Sequence, residues 1–188
     1  MTNAHSNVEE FYKKNEGAFI ERWKSFLRFK SVSADSSFHK DCLECAEWFK
    51  KELESLGVVA EILTTATLPV VYGEIKGDPN KPVVLFYGHY DVQPPDPLDL
   101  WKSPPFEPEI RDEKMYARGA EDNKGQVSYF LCALEALRNL KISLPTIKFL
   151  IEGEEESGSD ALHANLEKWA ELAKADIMMV CDTGMIMN

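Results

Sequence analysis

The sequence predicts an α/β fold, with a sheet sandwiched as a three-layer arrangement between helices on both faces. Three observations carry this. Short β-branched or apolar runs alternate along the chain with longer segments of helical periodicity. Two runs, Pro82–Tyr87 and Thr146–Glu152, are almost continuously apolar, as strands covered on both faces are. The chain has 188 residues, 44% of them hydrophobic, enough to bury the core of one ordinary domain.

Taken in order, apolar residues recur at helical spacing from about Val8 to Phe29 (Phe11, Phe19, Trp23, Phe26, Leu27), with Gly17 weakening the middle. Ser31–Ser37 is a polar link. Phe38–Leu56 predicts a second helix with Cys42, Cys45, Phe49 and Leu53 on one stripe, and Gly57 stands where a C-cap glycine belongs. Val58–Leu63 and Val70–Lys76 read as a strand pair, and Gly77–Asn80 as a turn. After the Pro82–Tyr87 strand, the proline-rich stretch Gln93–Pro108 is excluded from a sheet interior. Ile110–Ala117 suits a hairpin across Asp112–Lys114. A third helix is expected over Asn123–Asn139, and a strand over Thr146–Glu152. A fourth helix, capped within Ser157–Asp160, runs to about Ala173, and a last strand covers Ile177–Cys181. No internal repeat or low-complexity linker interrupts this order.

The balance of 32 acidic against 21 basic residues gives a net charge of −11. Such a surface repels nucleic acid and anionic membranes, so neither is an expected partner. No apolar run is long enough to span a membrane. The N-terminal stretch MTNAHSNVEEFYKKNEG has no basic cluster followed by an apolar run, which points away from secretion and toward the cytoplasm. Four cysteines (Cys42, Cys45, Cys132, Cys181) are then expected as free thiols. Cys42-x-x-Cys45 invites a redox or structural-zinc reading. Its i, i+3 spacing within a helix and the lack of a second pair favour two core thiols instead.

Chemistry gathers just past the C-terminal ends of the predicted strands, the edge at which open α/β sheets bind ligands. In YGHYDVQP (Tyr87–Pro94), His89 and Asp91 are two apart on extended chain and so face the same way. A ligating histidine gives its other ring N–H to a carboxylate, so His89 suits a metal ligand and Asp91 its orienting partner. A purely structural His–Asp pair fits the spacing as well. In ARGAEDNKG (Ala117–Gly125), Asp122 opens a helix, where an acid is expected simply as an N-cap. In LIEGEEESGSD (Leu150–Asp160), Glu154, Glu155 and Glu156 follow a strand directly. Exposed glutamate runs are common, but at a strand end like charges crowd unless a cation is present. Asp182, after the last strand, is a turn residue taken singly. Together His89, Asp122, Glu156 and Asp182 form an N/O donor set suited to zinc, with manganese or cobalt as alternatives.

GHYDVQP, ARGAEDNKG, EGEEESGS and the aspartate of VCDTG, in this order and at these intervals, resemble the co-catalytic zinc metallopeptidases. That family includes carnosinase-type dipeptidases, carboxypeptidase G, aminoacylase, acetylornithine deacetylase and succinyl-diaminopimelate desuccinylase. The likeness runs from about Glu9 onward, and Trp101–Gln126 most resembles the dipeptidase branch. The resemblance implies two zinc ions: His89 and Asp182 on the first, Asp122 bridging both, and Glu156 on the second. It also implies Glu155 as general base, Asp91 behind His89, and a cis peptide at Asp122–Asn123. Hydrolysis of a dipeptide or similar small amide by a zinc-activated water is the implied reaction; N-acyl amino acid deacylation is the alternative.

Members of the family are about twice this length. They carry a lid domain, used for homodimer contacts, inserted after the region matching this chain, and a further histidine on the second zinc from the returning segment. The expected content of residues 1–188 is therefore the N-terminal portion of the catalytic domain without the lid. His5, His39 and His163 match no ligand position. An inactive metal-binding or interaction fragment is the accompanying alternative, and a sheet lacking strands is expected to leave an apolar edge.

Overall fold

The computed structural model describes residues 2–184, with side chains from Ser6 onward. The elements follow the predicted order. Helix α1 spans Thr2–Leu27 and α2 spans His39–Ser55, after a 3-10 turn at Ser36–Phe38. Strands β1 (Val59–Leu63), β2 (Val70–Ile75) and β3 (Val84–His89) follow. A small hairpin, β4 (Glu109–Arg111) and β5 (Lys114–Tyr116), precedes α3 (Lys124–Asn139). Then come β6 (Ile147–Glu152), a 3-10 turn at Glu155–Ser157, α4 (Asp160–Ala173) and β7 (Ile177–Val180).

Helix α1 begins six residues before the expected Val8 and passes through Gly17. The early turn carries polar residues, so apolar periodicity could not register it. A Cβ at Gly17 would meet nothing within 4 Å, so the cost there is only the propensity of glycine, about 1 kcal/mol. On α2, Cys42, Cys45, Ala46, Phe49 and Leu53 are all buried, and Gly57 follows with φ of 73°, the left-handed cap that glycine adopts freely. The hairpin turn uses Asp112 and Glu113 at φ of 48° and 61°. Two positive values are what a two-residue turn matched to strand twist requires.

The main sheet has the order β1-β2-β6-β3-β7. β1 pairs antiparallel with β2, and β2 with β6. β6, β3 and β7 run parallel, with Tyr87 opposite both Leu150 and Val180. Helices α1, α2 and α3 cover one face. Their core joins Phe26, Cys45, Phe49, Leu53, Val127 and Leu131 to Val71, Phe86, Phe149 and Ile151 of the strands. Phe86 stacks on Phe130 at 4.0 Å between ring centroids. On the other face, Leu162 and Trp169 of α4 pack on Val70, Tyr72, Leu85 and Leu150. The three-layer expectation therefore holds, in a mixed sheet.

β7 is an edge strand. Ile177, Met178, Met179 and Val180 are all exposed, Met178 at 56%. The apolar edge expected from the sequence is present. Among the described residues, no helix is long and apolar enough to cross a membrane.

Candidate metal centre

The parallel trio β6-β3-β7 sets the site. Because β3 lies between its two parallel neighbours, the residues leaving all three C-terminal ends share one sheet edge. His89 is the last residue of β3, opposite Glu152. The glutamate run leaves β6, and Asp182 leaves β7.

His89 is fully buried, and its Nε2 is the focus. Asp122 Oδ1 lies 3.1 Å away, Asp182 Oδ2 3.7 Å and Glu155 Oε2 3.8 Å. Ligand atoms of His89, Asp122 and Asp182 lie within 4.8 Å of one another. On the far side of the ring, Nδ1 is 3.1 Å from the Asp91 carbonyl oxygen and 3.2 Å from Asp91 Oδ1. Two acceptors on Nδ1 hold the proton there, so Nε2 is the ring nitrogen that would give up its proton to a cation. Burial disfavours the imidazolium, but the hydrogen bonds and charges of Asp122, Asp91 and Asp182 outweigh it and push His89 up to about 10. The same contact with His89 lowers the Asp122 carboxyl. The carboxylates thus already favour a positive charge at Nε2, and one imidazole nitrogen with two carboxylates is a donor set that fits zinc or a similar divalent ion.

Asp91 does more than orient a ring. It is fully buried; Oδ1 accepts from the Glu155 N–H at 3.2 Å, and Oδ2 from the Glu156 N–H at 3.1 Å and Ser33 Oγ at 2.5 Å. One carboxylate therefore pins His89 and the start of the Glu155–Ser157 turn together. Glu155 projects to Nε2, and burial raises its carboxyl above the usual range. Glu156 does not reach the His89–Asp122–Asp182 cluster. Its Oε2 accepts from Gln93 Nε2 at 2.8 Å, and burial raises its carboxyl too.

Asp122 corrects a simpler expectation. The N-cap of α3 is Asn123, and no side chain caps that helix end. The Asp122 carboxylate turns to His89 instead. The Asp122–Asn123 peptide is cis, as the resemblance implies; Asp96–Pro97 is cis as well. Ser159 is likewise the N-cap of α4 without a capping bond, because its hydroxyl goes to Glu152 Oε1 at 3.0 Å.

Several supporting residues had no legible signal. Asn123, fully buried, accepts from the His89 N–H at 3.2 Å and donates to the Cys181 carbonyl at 2.7 Å and to Asp182 Oδ1 at 3.3 Å. It therefore ties β3 to the end of β7. Lys124, also fully buried, donates to the Phe26 and Phe29 carbonyls at 3.2 and 2.8 Å, clamping the end of α1 to the start of α3. Ser33 and Gln93 complete this outer ring. Of the other histidines, His39 Nε2 lies 3.3 Å from the Ser33 carbonyl, His163 belongs to α4, and the His5 side chain falls outside the described residues. Cys42 and Cys45 are fully buried free thiols, raised by burial to about 12 and about 11. The core reading of the pair stands.

The profile of peptidase family M20/M25/M40 matches residues 85–187, and the chain belongs to that family. Among curated relatives, "Cys-Gly metallodipeptidase dug1" of Schizosaccharomyces pombe is 32% identical, over 97% of this chain and 41% of that protein. "Beta-Ala-His dipeptidase" of Mus musculus is 42% identical, over 97% and 41%. The crystal structure of human carnosine dipeptidase 1 superposes with a TM-score of 0.89 at 30% identity, covering 97% of this chain and 42% of that one. The chain thus spans about 40% of the length of these relatives.

Proposed function

We propose that residues 1–188 form the N-terminal, metal-binding portion of a metallopeptidase catalytic domain, and that the whole protein hydrolyses dipeptides or similar small amides. The observation that carries this is the convergence of His89, Asp122 and Asp182 at the carboxyl edge of β3 and β7. The dipeptide class rests on the names of the relatives. In this reading His89, Asp122, Glu156 and Asp182 would hold zinc, and manganese or cobalt would suit the same donors. Bound divalent ions supply Lewis-acid polarisation of the amide carbonyl and activation of water.

The chain's own groups do the rest. Glu155 is the proton carrier: it stands beside Nε2, and its raised carboxyl brings it nearer to neutrality, where a base both takes and returns a proton. It accepts the proton of the attacking water and delivers it to the leaving amine. Asp91 keeps the His89 ring in one tautomer and holds Glu155 at a fixed distance from it. For a protein of the relatives' length we assign a small peptide substrate, a homodimer through a lid domain, and the cytoplasm.

Elemental mass spectrometry of the chain and its Asp122→Ala variant is the first test. One or two zinc per chain, lost in the variant, is the expected result; no metal even after zinc addition rejects the site. Glu155→Gln should keep its zinc and lose about 100-fold or more in hydrolysis in a protein of full length. Faster turnover of N-acyl amino acids than of dipeptides would shift the assignment to a deacylase. Zinc binding without hydrolysis in the 188-residue chain would mark it as a metal-binding portion only.

A further inference from the structure

We infer that Gln93 is a positioning residue for Glu156, holding that carboxylate ready for a cation by a contact it makes with no other member of the site. The inference rests on the metal reading above. Gln93 and Asp91 are two apart on the loop that leaves β3, and they grip Glu156 from one side. Asp91 takes its backbone N–H at 3.1 Å. Gln93 Nε2 donates to its backbone carbonyl at 3.1 Å and to its Oε2 at 2.8 Å. Glu156 is thus held at backbone and side chain together, with Oε2 engaged and Oε1 without a hydrogen bond among the described residues.

The loop beneath Gln93 is anchored although its side chain is exposed. Arg118 Nη2 donates to the Pro94 carbonyl at 3.1 Å, and Trp101 Nε1 to the Pro95 carbonyl at 2.7 Å. The Arg118 guanidinium lies 5.6 Å from the Trp101 ring centroid, which closes the clamp. A side chain on such a base aims its amide reproducibly.

The choice of an amide is chemically apt. Glu156 belongs to a site crowded with carboxylates, Asp91 on its backbone N–H and Glu155, Asp122 and Asp182 around His89, whose charges repel one another. A lysine or arginine at position 93 would relieve that repulsion and compete with a metal for the carboxylate. An amide N–H orients the carboxylate and leaves its full charge available. Asp91 serves His89, Glu155 and Glu156 alike, whereas among the described residues Gln93 bonds Glu156 alone. Losing Gln93 should therefore weaken only the metal position that depends on Glu156.

The test is a zinc titration of the 188-residue chain against a chromophoric chelator. The variants are Gln93→Met, Glu156→Ala and the double variant. Methionine keeps the length of glutamine without its donor, at an exposed position where folding is safe; an unchanged urea midpoint checks this. The expected result is a loss of about 10–100-fold in affinity for the zinc equivalent that Glu156→Ala also weakens. In the Glu156→Ala background the same change should move affinity by less than about two-fold, because the bond to the carboxylate is already gone and only the one to the backbone carbonyl remains. Unchanged zinc affinity in Gln93→Met, or an equal loss in both backgrounds, overturns the inference while leaving the metal site intact. A wild-type chain that binds no zinc overturns both.

Discussion

Replacing Asp91 with asparagine keeps the shape of the side chain and removes one acceptor and the charge. The cost can be counted from the contacts. In the native site every neighbour of the carboxylate is a donor: His89 Nδ1, Glu155 N and Glu156 N, and Ser33 Oγ. If the amide nitrogen replaces Oδ2, the Ser33 hydroxyl can turn and accept, but the Glu156 N–H is left facing another donor. If it replaces Oδ1, both His89 Nδ1–H and Glu155 N–H are opposed, though the first retains the Asp91 carbonyl. The better arrangement strands one N–H, at about 1–3 kcal/mol, and downgrades the remaining charge-assisted bonds by about 1 kcal/mol each. Relief from burying a charge offsets part of this. The net expectation is a loss of about 2–4 kcal/mol in the metal-free chain, a large share of the roughly 5–15 kcal/mol that holds a domain together. Urea unfolding followed by tryptophan fluorescence reads this directly. With a slope of about 2 kcal/mol per molar, the midpoint should fall by about 1–2 M. A fall below about 0.25 M at unchanged slope would refute the account of Asp91 as the keystone of this edge.

Other consequences are as open to measurement. Gly153→Ala should destabilise the chain by about 2–3 kcal/mol, since a Cβ there would collide with the hydroxyl and ring of Tyr90, which is fully buried and bonded to the Pro69 carbonyl at 2.8 Å; a urea midpoint within error of wild type would contradict that packing. Burial raises the Cys45 thiol to about 11, so at pH 8 only about one molecule in a thousand carries the thiolate. Cys42 and Cys45 should therefore resist a thiol reagent at that pH until the chain unfolds, with reactivity rising toward pH 11; rapid native labelling of both would restore a redox role. Met178→Lys, on the exposed edge strand, should leave stability within about 0.5 kcal/mol. It should also reduce self-association in sedimentation velocity, because an edge charge opposes strand-to-strand pairing.

Elements were legible where one periodicity dominates. The buried stripe of α2 and the apolar runs of β3 and β6 needed no tertiary information, because helical and strand spacings each leave a separate pattern of burial. Boundaries shifted where the signal is polar or stereochemical. The first turn of α1 carries no apolar periodicity, and β3 begins at Val84, two residues after the apolar run opens at Pro82. β7 looks apolar in sequence, yet each of its residues is exposed, since apolar residues mark a strand without saying what covers it.

The sequence by itself determined the donor types and their order along the chain: a histidine paired with an aspartate, an aspartate before a helix, glutamates and an aspartate after strands. Only the tertiary structure decided which of them meet. The order β6-β3-β7 brings His89, Glu155 and Asp182 together, though they are far apart in the chain. It also turned Asp122 from a cap into a neighbour of His89, and gave Glu156 to Gln93. Spacing along one strand fixes which way a side chain faces. Which other side chains it then faces depends on strand neighbours and on loop conformation, and those are settled by long-range pairing and packing that no local pattern encodes.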